Sequence, residues 1–336
     1  MIPEQHHTHH PALSFWEHLI IMGRGAGQVF FQENALTGLF FIIAIFVAAY
    51  HEGNWGVGIG GLTGLVLSTY TAILLKFDRD LVKAGLMGFN GILVGCALPT
   101  FLNPSLTMWI YLIVASVAVV VIQGFCMSIL RRFSLPSSTW PFVLTGWIFM
   151  LAAYHFSALS ITGLPSARLY TITHLNKAAY NILFMHIDHP FHDIALQFLH
   201  ITFLNIAQAF LLNYWLSGVI IVIGLLMNTR VGTLLAIMGS MIAILIARIG
   251  YLSDTAMLDG LYGFSATLTA MAIGCVFIPW SRWSFCYAIC ATIFTVILNA
   301  AMVTLLSPVG IPPFTGPYVL SMWIFLAAWS ARAIKD

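Results

Sequence analysis

Apolar segments long enough to cross a lipid bilayer recur along the whole chain and constrain its fold more than any other feature. A membrane-spanning helix needs roughly 20 mostly apolar residues. Such segments lie at 36–50, 57–76, 82–101, 107–130 and 139–156, and again at 216–228, 231–250, 257–278, 283–306 and 316–333. We therefore expect an all-α integral membrane protein with two sets of five transmembrane helices.

The composition agrees with this fold class. Hydrophobic residues make up 60% of the 336 residues and charged residues only 7%, whereas a soluble domain carries about 25% charged residues. Membrane lipid must therefore cover much of the surface. The formal net charge of +2 gives no reason to expect nucleic acid as a partner.

Two further helical stretches, at 12–33 and 196–213, each precede one set of spans. Polar residues interrupt both stretches, so neither has the character of a regular span. We interpret them as tilted or half-spanning helices, which are tolerated at membrane depth where protein or a cavity covers them.

The two halves of the sequence resemble one another. GQVFFQENALTG (27–38) aligns with AQAFLLNYWLSG (207–218), GLMGFNGILVGCAL (85–98) with GLYGFSATLTAMAI (260–273), and TWPFVLTGWIF (139–149) with TGPYVLSMWIF (315–325). The three shifts are 180, 175 and 176 residues. Because the blocks keep their order and spacing and match Gln with Gln and Pro with Pro, they indicate an internal repeat. We place the first repeat at 12–156, a linker at 157–195 and the second repeat at 196–333.

Five spans is an odd number, so successive repeats must enter the bilayer from opposite sides. The repeat is therefore expected to be inverted, with a shared pathway between the halves. Nine basic residues fall on the side of the N-terminus and three on the other side. The positive-inside bias then places both termini in the cytoplasm, with the protein in the plasma (bacterial inner) membrane.

The polar residues that recur in both halves are neutral. Gln28 and Gln208 offer side-chain amides, and Thr139 and Thr315 offer hydroxyls. Each threonine lies just before a proline that begins a predicted helix, which leaves nearby carbonyls outside regular helix. The middles of the spans are almost free of charge, which disfavours a transporter coupled to an ion gradient. We expect neutral oxygens to line the pathway.

Aromatic residues recur beside these polar groups. Phe89 and Phe264 stand in Gly-Phe turns, and Phe31 follows Gln28 by one helical turn. Oxygen acceptors between flat apolar walls suit a planar, uncharged solute rich in N–H donors, because desolvation excludes ions from a low-dielectric constriction. Urea fits this description, and small amides fit it as well.

At these residues the chain resembles the urea transporter family. GRGAGQVFFQENALTG, GLMGFNGILVG and the Thr-x-Pro-Phe-Val-Leu block from Thr139 carry the resemblance, which runs from about Arg24 to Trp329. It implies passive, channel-like urea transport, an inverted repeat of five spans plus one tilted helix, and a homotrimer with one pore per protomer. We accordingly expect no enzymatic activity, no catalytic residue and no cofactor.

The resemblance also implies a filter in which an oxygen ladder accepts hydrogen bonds from urea between apolar slots. The implied ladder ends are Gln28 and Gln208, and the implied middle constriction is marked by Thr139 and Thr315. The implied slots are formed by Phe31, Phe89 and Leu93 in one half and by Leu211, Phe264 and Leu268 in the other.

The chain departs from the family's pattern at positions that bear on selectivity. Trp140 and Gly316 stand where alanine is usual, Tyr318 replaces a phenylalanine, and Ser265 replaces an asparagine in the second Gly-Phe block. These departures leave open a facilitator for ammonia, water or a short amide. The sequence lacks a duplicated mid-span histidine and Asn-Pro-Ala repeats, the features that ammonia and water channels use.

A metal site and a membrane enzyme are two further hypotheses. His186, His189 and His192, near Asp188 and Asp193, have side chains that bind metals. Pro190 interrupts any continuous helix there, and we predict no metal site. An enzyme would need a nucleophile or a metal cluster within the spans, and the sequence shows neither.

Overall fold

The computed structural model describes residues 13–167, 191–250, 252 and 254–332, and every regular element within them is a helix. The first half contains α1 (Phe15–Gly27), α2 (Ala35–His51), α3 (Trp55–Leu74), α4 (Arg79–Lys83), α5 (Phe89–Phe101), α6 (Leu106–Leu130) and α7 (Trp140–Ala153). The second half contains α8 (Phe191–Ala207), α9 (Trp215–Leu226), α10 (Arg230–Ile249), α11 (Asp254–Leu258), α12 (Phe264–Met271), α13 (Arg282–Leu306) and α14 (Gly316–Arg332).

The lengths and composition of these helices confirm an all-α membrane protein. In the described part of the chain, α3, α6, α10 and α13 are each long and apolar enough to cross a bilayer, and two bent helix pairs bring the number to as many as six. The long helices expose large apolar side chains such as Leu106 and Trp283 on their outer faces, as contact with lipid requires.

The two stretches predicted as tilted helices form the first arms of the bent pairs. The helical arm Phe15–Phe30 meets α2 at 74°, and the arm Ala195–Phe210 meets α9 at 79°. In the first pair Asn34 caps α2, because its Oδ1 accepts the N–H of Thr37 at 3.0 Å. The sequence therefore produces the bend by starting a new helix after four intervening residues, 31–34.

One of the predicted spans differs from the structure in detail. The predicted span 82–101 is broken, because α4 ends at Lys83 and α5 begins only at Phe89. Gly85 in this turn, like Gly260 in the second half, has a positive φ (78° and 72°) that glycine adopts without strain.

The helices that follow these turns are short. With 13 residues α5 is about 20 Å long, against roughly 30 Å of bilayer core. α7 has 14 residues, and α12 has only eight before a π-helical turn. Each of these helices is therefore too short to span the full thickness of the membrane.

The predicted linker 157–195 is too long at its C-terminal end, because α8 begins at Phe191. Its first residues pack against the end of α5, where the Asn103 N–H donates to the Ser160 carbonyl at 2.8 Å. The side chains of the possible metal ligands at 186–193 lie outside the described residues.

Helices α3 and α5 pack with their backbones in close approach. A Cβ atom at Gly64 would collide with the carbonyl oxygen of Gly91. α10 and α12 pack in a similar way, where a Cβ at Gly239 would meet the carbonyl oxygen of Ala266. Small residues let membrane helices approach this closely, and here they fix the short helices α5 and α12 against long spans.

The variant Gly64→Val should lower the thermal stability of the protein, because its side chain displaces α5. Overpacking of this kind costs about 1–3 kcal/mol. The measurement is the midpoint of thermal unfolding in detergent. Ile59→Val on the outer face of the same helix, where the side chain is 49% exposed, is the control. Equal midpoints for the two variants would contradict the packing.

Candidate functional site

A pair of buried threonine hydroxyls joins the two halves of the protein. The Oγ1 atoms of Thr139 and Thr315 lie 2.7 Å apart, and each residue is only 2% exposed. Each threonine immediately precedes a helix, α7 or α14. A hydroxyl donates one hydrogen bond and accepts two, so this threonine pair retains acceptor capacity for a solute while the two side chains are bonded to each other.

Tryptophans from the opposite half bind the irregular segments before α7 and α14. Trp147 Nε1 donates to the carbonyl of Pro312 at 3.1 Å, and Trp323 Nε1 donates to the carbonyl of Pro136 at 2.8 Å. Carbonyls outside regular helix need such partners when they are removed from water. Sequence reasoning missed this role, although the two tryptophans recur at the same place in both copies of the repeated block.

Gln28 and Gln208 occupy equivalent places after α1 and α8. Gln28 Nε2 donates to the carbonyl of Ala84 at 2.8 Å, and Gln208 Nε2 donates to the carbonyl of Asp259 at 2.7 Å. Both carbonyls lie in the turns that precede α5 and α12. The amide nitrogen of each glutamine is engaged in this way, which leaves its Oε1 as the hydrogen-bond acceptor of the side chain.

Phe31 and Leu211 follow these glutamines in the left-handed backbone region, with φ of 63° and 60°. This conformation costs a residue other than glycine about 1–2 kcal/mol, and it persists where the surrounding structure imposes it, commonly at functional sites. The Phe31 ring packs edge-on against Phe277 and Tyr318, with centroids 5.9 and 6.0 Å away. No feature of the sequence predicts that these two equivalent residues both adopt the left-handed conformation.

The other predicted slot residues begin α5 and α12. Phe89 and Phe264 are the first residues of these helices, and Leu93 and Leu268 follow one turn later on the same face. All four are buried and belong to the same apolar cluster as the two left-handed residues. α5 also contacts the turn Gln208–Phe210 of the other half. The predicted slot residues of both halves thus belong to one apolar cluster, and their contact with a solute stays a prediction.

A buried asparagine connects α5, α6 and α7 next to the threonine pair. Asn90 Nδ2 donates to Gln123 Oε1 at 3.1 Å and to the carbonyl of Ser138 at 3.2 Å. Asn90 Oδ1 accepts the N–H of Phe142 at 3.2 Å. That N–H lies in the first turn of α7, where a helix has no internal partner to offer.

The second half lacks this hydrogen-bonded centre. Ser265 and Asn299 stand at the positions of Asn90 and Gln123. Both are shorter by one or more side-chain atoms, and Ser265 Oγ and Asn299 Oδ1 are buried without a hydrogen-bond partner among the described residues. The serine at position 265 therefore removes these hydrogen bonds from the second half, whereas the first half keeps them through Asn90.

The buried polar groups around the site are uncharged. Among the described residues, no Asp, Glu, Lys or Arg side chain is buried. Charged groups lie at helix ends and in turns, as in the 3.5 Å ion pair of Arg24 with Glu33. At the end of α2 the Glu52 carboxylate accepts the N–H of Asn213 at 2.9 Å, and partial desolvation raises the pKa of this carboxyl.

A surface groove of about 760 Å³ lies beside the end of α7, lined in part by His155 and Pro165. None of the ten predicted site residues lines it. The groove is therefore separate from the cluster around the threonine pair.

An all-helical membrane architecture with paired neutral oxygens and aromatic rings at its core has the features expected of a membrane transport protein for small solutes. The urea transporter family model matches residues 19–330 of the chain. This protein therefore belongs to the urea transporter family.

Curated relatives agree with the family match. Urea transporter 1 of Ovis aries is 28% identical over 311 residues, which cover 90% of this chain and 75% of the relative. Urea transporter 1 of Capra hircus is 27% identical over 311 residues with the same coverage, and that of Mus musculus is 28% identical over 310 residues.

The variant Asn90→Ala should destabilise the protein, because it leaves the Phe142 N–H and Gln123 Oε1 without their partner. Loss of a buried partner costs about 1–3 kcal/mol. The matched control is Ser265→Ala, which removes a hydroxyl that has no described partner and should leave the unfolding midpoint at or above that of the wild type. Equal losses in the two variants would contradict the role assigned to Asn90.

Proposed function

We propose that this protein conducts urea passively across the membrane, along a pathway of neutral oxygens between its two halves. The family match and the relatives named urea transporter 1 support urea as the solute. The threonine pair is the observation that carries the mechanism, because it places hydrogen-bonding oxygens from both halves at one buried point. Family membership identifies the protein as a transport protein and not an enzyme.

The electrostatics of the site favour an uncharged solute. α7 and α14 both begin at the threonine pair, so the positive ends of two helix dipoles, each equivalent to roughly half an elementary charge, point towards it. A cation there meets this positive potential and also loses its hydration in a low-dielectric setting. The described residues offer no buried carboxylate to bind a proton or a sodium ion, and this supports uncoupled transport.

The hydrogen-bonding groups suit urea in particular. Urea is planar, and its two amino groups donate to oxygen acceptors along its edges. We propose that Gln28 Oε1, the threonine pair and Gln208 Oε1 form this ladder of acceptors. The phenylalanines and leucines of the apolar cluster then enclose the two faces of the molecule. The solute passes beside the threonine pair, whose free lone pairs accept its N–H groups.

We propose an inverted repeat with a first copy at 12–156 and a second copy beginning at α8. It explains why each half makes the same contact with the other. Thr37 Oγ1 donates to the carbonyl of Gly224 at 3.0 Å, and Ser217 Oγ donates to the carbonyl of Ala44 at 2.7 Å. A shift of 180 residues converts one contact into the other. The two tryptophan contacts are exchanged by a shift of 176 in the same manner. Such reciprocity is expected of two copies related by a two-fold axis.

We also propose a homotrimer embedded in lipid, as the resemblance to the family implies. The exposed apolar faces of α6 and α13 are available for lipid or for neighbouring protomers. The balance of nine basic residues against three supports a cytoplasmic location for both termini, in the plasma membrane, which in a bacterium is the inner membrane. The family match does not favour the alternative of a facilitator for ammonia, water or a short amide.

The variants Thr139→Val and Thr315→Val test the proposed ladder. Each replaces a hydroxyl with a methyl group of similar size and so removes one hydrogen-bond acceptor for urea. The loss of one hydrogen-bond partner costs about 1–3 kcal/mol, so the urea flux should fall by roughly tenfold or more. The measurement is stopped-flow light scattering on proteoliposomes, with empty liposomes as the baseline and thiourea, acetamide and glycerol for comparison.

The exposed Thr304 provides the matched control, and Thr304→Val should retain wild-type flux. Wild-type urea flux in both site variants would refute the ladder. Failure of the wild type itself to exceed the baseline would refute the proposed function.

A further inference from the structure

Two contacts flank the threonine pair, and they are chemically different although the repeat makes them equivalent. Ser138 Oγ and the Tyr318 hydroxyl lie 2.6 Å apart. A shift of 176 residues converts these positions into Phe314 and Phe142, whose rings pack edge-on with centroids 5.1 Å apart. One side of the threonine pair is thus closed by a directional hydrogen bond and the other by an aromatic contact.

The Tyr318 hydroxyl is held in place by its surroundings. The residue is fully buried, and its hydroxyl also approaches Met322 Sδ at 3.2 Å. A buried hydroxyl without a partner is unfavourable, so the bond to Ser138 is strongly retained. Phe31, which is one of the predicted slot residues, packs its ring against the ring of Tyr318.

Ser138 is fixed by contacts within the first half of the protein. Its carbonyl accepts the Asn90 Nδ2–H, and its backbone has a φ of 46°, in the left-handed region. Ser138 directly precedes Thr139, and Tyr318 lies one helical turn after Thr315. The bond between Ser138 and Tyr318 therefore links the two chain segments that carry the threonine hydroxyls.

We infer that Tyr318 and Ser138 are positioning residues that fix the spacing of the threonine pair, and that this spacing restricts the pathway to solutes no larger than urea. The inference rests on the proposed function. The aromatic contact between Phe142 and Phe314 permits small sliding, because it has no comparable directional bond. The hydroxyl bridge supplies the constraint that the opposite side lacks.

The test measures the permeability ratio of thiourea to urea in proteoliposomes that contain the full chain. Tyr318→Phe and Ser138→Ala each remove the bridge, and each should raise this ratio by about two- to tenfold, the range that one hydrogen bond controls. Because both act through one contact, the double variant should match the single variants instead of multiplying their effects.

Tyr287→Phe is the matched control. Tyr287 also lies in the second half, and its hydroxyl donates to the carbonyl of Phe325 at 2.9 Å. Phe325 lies ten residues after Thr315 along α14, so this contact is remote from the threonine pair. This variant should keep the wild-type ratio even where its thermal stability falls.

The possible failures are distinguishable. A wild type that conducts urea, with an unchanged ratio in Ser138→Ala, overturns the inference and leaves the proposed function standing, and this variant remains informative if Tyr318→Phe does not fold. A changed ratio in Tyr318→Phe alone also overturns it, because the effect would not pass through the bridge. A wild type without urea flux overturns the proposed function itself.

Discussion

Helices that stop inside a membrane protein are stable only where other parts of the chain satisfy their backbone polar groups, because lipid offers no hydrogen bonds. The structure meets this requirement at several breaks near the site. Asn90 accepts the N–H at the start of α7, and Trp147 and Trp323 donate to carbonyls before the helix starts of the opposite half. The glutamines after α1 and α8 do the same for the turns before α5 and α12. The oxygens proposed to serve a solute, on the two glutamines and the threonine pair, lie at these breaks.

The two halves have similar orders of helices but differ in the polar side chains that hold those helices in place. The first half holds the start of α7 with an asparagine and a glutamine. The second half has a serine and a shorter asparagine, whose oxygens have no hydrogen-bond partner in the part of the chain that the structure describes. The second half instead contributes the Tyr318 hydroxyl, which reaches back to Ser138 in the first. The repeated blocks therefore surround the threonine pair with side chains that differ chemically between the two halves.

The sequence predicts the parts of this architecture that depend on local or repeated patterns. Apolar segments indicate the membrane helices, and the duplicated blocks single out Gln28, Thr139 and their counterparts. Proline before α7 and α14 predicts the irregular segments there. The break between α4 and α5 is missed, because the apolar run continues through the turn at Gly85 and hydropathy does not register a change of backbone direction. Contacts such as Ser138 with Tyr318 are missed because they depend on how the two halves meet, and no local pattern encodes that arrangement.

The central claim is that a neutral buried site passes urea without coupling to any ion. The most direct test is the steady-state concentration of radiolabelled urea inside proteoliposomes under imposed proton and sodium gradients. Passive conduction predicts equal concentrations inside and outside, whatever the direction or size of the gradients. Accumulation of urea inside the vesicles that collapses when an ionophore dissipates the gradient would contradict the account.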